Sequence, residues 1–194
     1  MPTWKEIVAA NPLHSQNYAR RWENIAARGQ DIYGEARLID ALAPRGAKIL
    51  DAGCGQGRLS GYLQQCGHEV TGVDLDAFLL EVAQEKHPEV NFAQIDLGID
   101  PLPGKDYDLI FSAGNVLPFI PQEQRAAAVT SLIAALAPGA RLVIGFGLDR
   151  GYSAGDFFSH VSAAGGLVEH SFSSWDLQPF ESDSNFLVAV IRRG

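Results

Sequence analysis

The residues around position 50 constrain this chain more than any other part of it. Asp51 ends a short apolar stretch, and glycines then stand at every second position, at 53, 55 and 57. A loop with so few side chains lets backbone N–H groups approach a ligand directly. A helix beginning near Gly57 directs the positive end of its dipole at the same place. The pattern therefore predicts a strand, a ligand-binding loop and a helix, in that order.

The spacing of these glycines separates two kinds of nucleotide-binding loop. A dinucleotide-binding loop has the pattern G-x-G-x-x-G, which needs a glycine at position 58, where this chain has Arg58. The sequence Asp-x-Gly-x-Gly-x-Gly instead resembles the first motif of class I S-adenosylmethionine-dependent methyltransferases. A nicotinamide-dependent oxidoreductase is the disfavoured alternative.

The composition is typical of a globular domain. The chain has 194 residues, of which 46% are hydrophobic, and a core of this size buries roughly 70% of the surface of the unfolded chain. No apolar run approaches the ~20 residues of a membrane span, and the N-terminal residues do not resemble a secretory signal. Cys54 and Cys66 have neither the number nor the spacing of a disulfide scaffold or a metal site. We therefore expect a cytoplasmic protein without a metal centre.

The charge balance argues against a nucleic-acid partner. The chain carries 15 basic and 23 acidic residues, for a net charge of −8, whereas a nucleic-acid groove normally carries a basic field. The stretch from Ser112 to Asn115 also lacks the Asn/Asp-Pro-Pro-aromatic motif of DNA amino-methyltransferases in the family it resembles. A small-molecule acceptor is expected, and the oligomeric state stays open.

Apolar segments alternate with segments of helical periodicity from about residue 47 onward. The predicted strands are 47–52, 69–74, 90–95, 107–113 and 140–147, followed by an antiparallel pair at 167–175 and 186–192. The predicted helices are 57–66, 76–86, 122–136 and 153–164, preceded by two near 16–28 and 34–43. Asp76 is the expected N-cap of the second core helix, and Pro138-Gly139 the expected end of the third. This alternation predicts an α/β fold with a mostly parallel sheet.

The resemblance makes the fold more specific. It implies a single methyltransferase domain over 1–194, with a helical N-terminal extension or lid over 1–46 and a three-layer α/β/α Rossmann-like core over 47–194. Its seven-stranded sheet is expected in the order 3-2-1-4-5-7-6, with the last strand antiparallel to the others.

Acids at the ends of two further strands fit the cofactor of that family, S-adenosylmethionine. Asp74 is expected to accept hydrogen bonds from the ribose hydroxyls. The resemblance implies that Asp96 accepts from the adenine amine, with neighbours such as Leu97 beside the ring. Leu75, next to Asp74, is also counted in the cofactor site. Asp51 either directs its charge toward the cationic part of the cofactor or only ties the glycine loop together.

The loop after the fourth predicted strand completes the expected cofactor site. By the resemblance, the backbone at Ala113 and Gly114 approaches the methionine portion. Asn115 binds cofactor or acceptor, or shapes the turn. The full predicted cofactor set is Tyr18, Arg21, Trp22, Asp51, Gly53, Cys54, Gly55, Gly57, Asp74, Leu75, Asp96, Leu97, Ala113, Gly114 and Asn115.

Three residues of the N-terminal extension share one helical face: Tyr18, Arg21 and Trp22. In many family members such a helix covers the cofactor, which would let Arg21 pair with the methionine carboxylate. The alternative is that this face only docks on the core helices. Tyr33 is a further candidate at the acceptor entrance.

No catalytic residue is assigned, since a base is needed only if the acceptor must lose a proton. Asp149, Arg150 and Tyr152 follow the fifth predicted strand and are the candidates; Arg150 would hold an anionic acceptor or lie in solvent. Among the histidines, His14 and His160 are the freest to reach a site. The expected function is methyl transfer from S-adenosylmethionine to a small molecule, leaving S-adenosylhomocysteine. The alternative is a cofactor-binding module without turnover that acts through a protein partner.

Overall fold

A seven-stranded sheet forms the centre of the computed structural model, which describes residues 1–194. The strands are β1 (Lys48–Ala52), β2 (Glu69–Asp74), β3 (Asn91–Gln94), β4 (Tyr107–Ser112), β5 (Leu136–Gly147), β6 (Gly166–Phe172) and β7 (Phe186–Arg193). Their order is β3-β2-β1-β4-β5-β7-β6. Neighbours among the first five strands are parallel, and β7 is antiparallel to both β5 and β6. The predicted α/β fold, strand order and reversed last strand are confirmed.

Eight helices surround the sheet. They are α1 (Trp4–Ala10), α2 (His14–Ala27), α3 (Gly34–Leu42), α4 (Arg58–Gln65), α5 (Ala77–Lys86), α6 (Val116–Phe119), α7 (Arg125–Ala134) and α8 (Ala154–Ala163). Short 3₁₀ turns at Gln122–Gln124 and Leu148–Arg150 lead into α7 and out of β5. None of these helices has the length and apolar character that crossing a bilayer requires.

Two hydrophobic clusters lie on the two faces of the sheet. Ile49 belongs to the cluster beneath α3 and α4, and the next residue, Leu50, belongs to the cluster beneath α7 and α8. This alternation is the period of two that a strand imposes on its side chains. Because both faces are covered, the central strands are apolar throughout, which is why they could be recognised in the sequence.

The structure corrects the boundary predicted at Pro138-Gly139. These residues do not end a helix: α7 stops at Ala134, and β5 begins at Leu136 and runs through both of them. Leu136 pairs with Tyr107, and a register shift follows before regular pairing resumes. A proline and a glycine are tolerated here because an irregular stretch leaves ladder hydrogen bonds unmade.

The sequence reasoning missed α1, although a local signal for it exists. The Thr3 side chain accepts from the backbone of Glu6, and Glu6 accepts from the backbone N–H of Thr3 at 2.7 Å. This reciprocal capping box is visible in the sequence as Thr-x-x-Glu. The four-residue α6 has no comparable signal, since it is shorter than the hydrophobic period that marks a helix.

Candidate cofactor and acceptor site

A cavity of about 300 Å³ opens at the carboxyl ends of the strands. It lies where the strand order changes direction between β1 and β4, the place where open α/β sheets bind ligands. The predicted residues that line it are Tyr18, Arg21, Gly53, Gly55, Asp74, Leu75, Asp96, Leu97, Ala113, Gly114 and Asn115. Its volume is at the lower end of the roughly 300–1,000 Å³ of small-molecule sites. The residues predicted from the sequence therefore make up most of the lining of this cavity.

The glycine loop is held open by β2 on one side and by α6 on the other. The N–H groups of Gly53 and Cys54 donate to the carbonyl of Val73 at 2.8 and 2.9 Å. Gly53 has φ +91°, and a Cβ atom on it would lie 2.3 Å from a methyl group of Val116. Only glycine fits this position, because a side chain would be strained and would also collide.

Asp74 presents its carboxylate to the cavity from the end of β2. One oxygen accepts from the N–H of Gly55 at 2.8 Å, and the other accepts from the N–H of Asp76 at 2.9 Å. Each carboxylate oxygen has a second lone pair, so two acceptors remain for a ligand. Burial raises the pKa of Asp74 to about 6. This donor and acceptor set fits a ligand with two adjacent hydroxyl groups, as in a ribose.

Asp96 lines the cavity at the end of β3 and already has a partner there. Its carboxylate forms an ion pair of 2.6 Å with Lys5 of α1 and accepts from the N–H of Gly98 at 2.9 Å. The helix that the sequence reasoning missed therefore supplies a charge at the expected adenine end. No local pattern signals this contact, because the two residues are far apart in sequence.

Asp76 connects the N-terminal helices to the edge of the cavity. It caps α5 by accepting from the N–H of Leu79 at 3.2 Å, as predicted for the N-cap. The indole N–H of Trp4 also donates to it at 2.8 Å, and the hydroxyl of Ser15 makes a further hydrogen bond. One carboxylate thus fixes the start of α5, α1 and α2 together.

Aromatic rings cover the cavity. The ring of Trp4 packs edge-on against Tyr18 and Phe119, with ring centroids 5.6 and 5.5 Å apart, and against His14 at 4.9 Å. Tyr18 lies over the glycine loop, 3.5 Å from the position of a Cβ atom on Gly55. These three residues, Trp4, Tyr18 and Phe119, are called the cover, and all three line the cavity.

A smaller cavity of about 50 Å³ adjoins the first and contains all but one of the remaining predicted cofactor residues. Asp51, Cys54 and Trp22 line it. Arg58 also lines it, donating to the two carboxylate oxygens of Glu35 at 3.2 and 3.1 Å and stacking 3.9 Å above the ring of Trp22. Arg58, whose presence at position 58 excludes the dinucleotide-binding pattern, thus connects α2, α3 and α4.

Asp51 both ties the loop and lines this smaller cavity, so the geometry is compatible with both interpretations of it. Its carboxylate accepts from the hydroxyl of Ser60 at 2.6 Å. The side chain is 1% exposed, and burial raises its pKa to about 7. A cation placed in the smaller cavity would favour the ionised carboxylate.

The structure corrects the expectations for Tyr152 and His160. Tyr152 is buried at 2% exposure, and its hydroxyl is 2.7 Å from a ring nitrogen of His160. Its ring stacks on Phe146, with centroids 5.3 Å apart. Gly151 adopts a left-handed conformation with φ +72°, after which the chain turns into the core. Neither residue lines the cavity.

Other predicted residues divide between the cavity and its surroundings. Arg150 lines the cavity. Asp149 is exposed, and its carboxylate lies 3.4 Å from the guanidinium of Arg150. Asn115 lines the cavity and shapes the turn, since its side-chain oxygen accepts from the N–H of Gly147 at 2.6 Å. Gly57 lines neither cavity; a Cβ atom on it would lie 2.8 Å from the Phe92 ring, so it is a packing position.

Tyr33 also lies away from the cavity, and His14 lies within its lining. Tyr33 is partly exposed and stacks on Tyr62, with ring centroids 5.1 Å apart. The cavity walls also contain Val116, Phe119 and Ile120, which the sequence reasoning did not select. These three follow β4 and belong to α6 or the residue after it.

Arg125 joins the end of α6 to the loop between β5 and α8. Its guanidinium donates to the carbonyls of Ile120 and Pro118 at 3.0 and 2.9 Å, and to that of Gly151 at 2.6 Å. It also lies 4.8 Å from the centre of the Tyr152 ring. The side chain is 5% exposed, so these contacts are shielded from water.

Replacing Arg125 by methionine is expected to lower the free energy of unfolding by about 2 kcal/mol. Three hydrogen bonds at about 1 kcal/mol each are lost, and relief from burying the guanidinium offsets part of this loss. For a domain of this size the melting temperature falls by about 6 °C. Urea unfolding measures the change. Arg192→Met, at an exposed surface pair with Glu169, is the control and should stay within about 0.5 kcal/mol; equal losses in both variants would contradict the role of Arg125.

Comparison with known proteins gives three findings. A family described as "Methyltransferase domain" matches residues 49–139. A TehB-like SAM-dependent methyltransferase of known structure from Corynebacterium glutamicum is 53% identical, with a TM-score of 0.92 over 95% of this chain and 100% of that chain. The malonyl-[acyl-carrier protein] O-methyltransferase of Enterobacter lignolyticus is 39% identical over 111 residues, which are 57% of this chain and 43% of that protein.

A second curated relative matches a similar part of the chain. The ubiquinone biosynthesis O-methyltransferase of Actinobacillus pleuropneumoniae is 37% identical over 89 residues, covering 39% of this chain and 38% of that protein. The chain thus matches less than half the length of either curated relative. The matches to the structure from Corynebacterium glutamicum, in contrast, extend over the whole of that chain.

Proposed function

This chain belongs to the class I S-adenosylmethionine-dependent methyltransferases, and from that premise we propose that it transfers the methyl group of S-adenosylmethionine to a small-molecule acceptor. The observation that carries the proposal is the covered cavity at the carboxyl ends of β1, β2 and β4, into which Asp74 presents two free acceptor positions. The whole described chain serves as one domain, with residues 1–46 as the lid and 47–194 as the core.

Each part of the cofactor has a matching group in the two cavities. Asp74 accepts from the ribose hydroxyls, and Asp96 accepts from the adenine amine after Lys5 moves aside. The backbone of the glycine loop and of Gly114 borders the methionine portion. Asp51 provides the negative charge for its ammonium group from the smaller cavity. Every acidic residue that lines the two cavities is thus assigned to one part of the cofactor, except Glu35, which forms an ion pair with Arg58.

The bound cofactor supplies a methyl group on a positively charged sulfur, which is a strong leaving group. The protein's contribution is therefore alignment and exclusion of water. The cover formed by Trp4, Tyr18 and Phe119 supplies apolar rings at the cavity wall, and its proposed role is to exclude water from the bound methyl group. Arg21 and Arg150 bring positive charge to its lining, which favours an acceptor with a negative group.

The proposed acceptor is small because the cavity is small. About 300 Å³ must hold most of the cofactor as well as the reacting end of the acceptor. A nucleic acid does not fit the net charge of −8. A cytoplasmic location is supported by Cys54 and Cys66, which form no disulfide.

Two measurements on the same preparation test the proposal. Calorimetry is expected to detect binding of S-adenosylhomocysteine. Incubation with S-adenosylmethionine labelled in its methyl group, together with a pool of small metabolites, is expected to transfer label to a small molecule. Asp183→Asn, at an exposed position away from both cavities, is the control and should leave both results unchanged.

The possible results separate the competing functions. Binding without transfer to any small molecule would favour a cofactor-binding module that acts through a protein partner. Failure to bind S-adenosylhomocysteine would contradict the proposed cofactor site itself.

A further inference from the structure

The side chains of three arginines in α2 and at its C-terminal cap have neither an ion pair nor a hydrogen bond. They are Arg20, Arg21 and Arg28. Each of the other eight arginines in the chain pairs with a carboxylate or donates to backbone carbonyls. In a protein with 23 acidic residues, unpaired guanidinium groups confined to one helix and its C-terminal cap are a distinct feature of the surface.

The three arginines share one groove. This groove is a shallow surface open to solvent, and it is lined by Asn17, Arg20, Arg21, Asn24, Ile25 and Arg28. These positions repeat every three or four residues, so they lie along one face of α2. The only acid of α2, Glu23, pairs with Lys86 at 2.7 Å and does not line the groove. The groove therefore has three positive charges and no negative one.

The groove continues from the cavity. Arg21 lines both of them. From Asn17 to Arg28 the helix rises about 16 Å, at 1.5 Å per residue. One carboxylate or phosphate group does not span this length, whereas an extended chain with several charges does.

The chemistry of the lining selects anions. A guanidinium group binds carboxylate or phosphate through two parallel hydrogen bonds, and the side-chain amides of Asn17 and Asn24 add donors. Because the rest of the protein is acidic, an anion is drawn to this face more than to the others.

We infer that the groove along α2 binds an anionic tail of the methyl acceptor, which therefore carries two or more phosphate or carboxylate groups. The inference rests on the proposed function, since it takes the cavity as the place where the acceptor reacts. The tail lies against Arg28 and Arg20, and the reacting end passes Arg21 into the cavity.

Titration of the protein bound to S-adenosylhomocysteine tests the inference with two probes, inorganic pyrophosphate and citrate. At 20 mM salt, at least one probe is expected to bind. In the variant Arg20→Gln/Arg28→Gln its affinity should fall at least about fivefold, and raising the salt to 200 mM should weaken binding to the unmodified protein. Both side chains are exposed and make no contacts that folding needs, so the variant should keep the melting temperature of the unmodified protein.

A matched variant distinguishes the groove from the overall charge. Arg45→Gln/Arg192→Gln removes the same two charges from arginines that pair with Asp40 and Glu169 elsewhere. It should leave the affinity within about twofold, since neither side chain lines the groove. An equal loss in both double variants would overturn the inference.

The probes also identify the chemistry of the tail. Binding of pyrophosphate alone supports a phosphate tail, binding of citrate alone supports a carboxylate tail, and binding of neither overturns the inference. The affinity for S-adenosylhomocysteine is measured first and separately. A protein that binds it but binds neither anion contradicts only the inference, whereas one that does not bind it contradicts the proposed function.

Discussion

The Asp74→Asn variant is expected to bind S-adenosylhomocysteine about 100-fold more weakly than the unmodified protein. Asparagine keeps one carbonyl oxygen but replaces the other with an amide NH₂ group. The N–H groups of Gly55 and Asp76 each donate to one carboxylate oxygen, so one of them now faces a donor. A ribose hydroxyl loses an acceptor as well. The other hydroxyl keeps an acceptor, but that acceptor is uncharged. One lost charge-assisted hydrogen bond at about 2 kcal/mol, and about 1 kcal/mol from the loss of charge in the other, correspond to about two orders of magnitude.

This loss of affinity can be separated from a loss of folding. Burial raises the pKa of Asp74 to about 6, so ionising it at pH 8 costs stability in the unmodified protein. Relief from this cost in the variant is expected to offset the backbone hydrogen bond that is lost, and the stability at pH 8 should change little. Calorimetry at pH 8 measures the affinity, and urea unfolding checks the fold. Asp183→Asn makes the same chemical change at an exposed loop position. If Asp74→Asn weakens binding by less than about threefold, Asp74 is not the ribose acceptor.

Asp51 is expected to make the ligand-free protein less stable as the pH rises from about 4 to about 7. Its pKa in the folded protein is about 7, against an ordinary value of 3.8, because burial penalises the charge. The folded state then binds more protons than the unfolded state in this range, and stability falls with rising pH. Above pH 7 Asp51 is ionised in both the folded and the unfolded state. The free energy of unfolding has then fallen by its full amount, about 4 kcal/mol.

The Asp51→Asn variant should therefore differ from the unmodified protein in a pH-dependent way. The two free energies of unfolding are expected to be similar near pH 4. At pH 8 the variant should be more stable by up to about 4 kcal/mol, because its side-chain oxygen still accepts from Ser60 without carrying a charge. The same variant should bind S-adenosylhomocysteine about tenfold more weakly, since the ligand's ammonium group loses an opposite charge.

Urea unfolding from pH 4 to pH 8 measures this difference. Asp183→Asn should leave the pH dependence unchanged, because its side chain is exposed. Parallel stability curves for Asp51→Asn and the unmodified protein would show that Asp51 is already ionised at low pH. If Asp51→Asn makes the ligand-free protein more stable and also weakens binding of S-adenosylhomocysteine, the charge of Asp51 serves ligand binding and not folding.

The features predicted from the sequence were those set by neighbouring residues. Asp51 and the glycines after it occupy fixed positions at the end of a buried strand, and Asp74 ends the next one. Because parallel strands bring their carboxyl ends to one edge, spacing along the chain was enough to bring these groups together. The strand order followed from the family resemblance and is confirmed.

The features that were missed depend on contacts between distant segments. The Trp4 indole reaches Asp76 across 72 positions, and Lys5 reaches Asp96 over a greater separation. No pattern within a window of residues encodes such pairs. Tyr152 was misjudged for a related reason: its position after β5 suggested the cavity edge, but Gly151 turns the backbone so that the ring enters the core.

The position of β7 has a consequence for the order in which the sheet can assemble during synthesis. β1 to β4 occupy one continuous half of the sheet, and the chain that forms them emerges from the ribosome before the rest. β7 is the last strand in sequence and lies between β5 and β6. Until it arrives, β5 exposes a long apolar edge of unpaired backbone groups, which is a template for aggregation. The half of the sheet formed by β1 to β4 can therefore fold early. The nascent sheet is protected from aggregation at the edge of β5 only after β7 has paired with it.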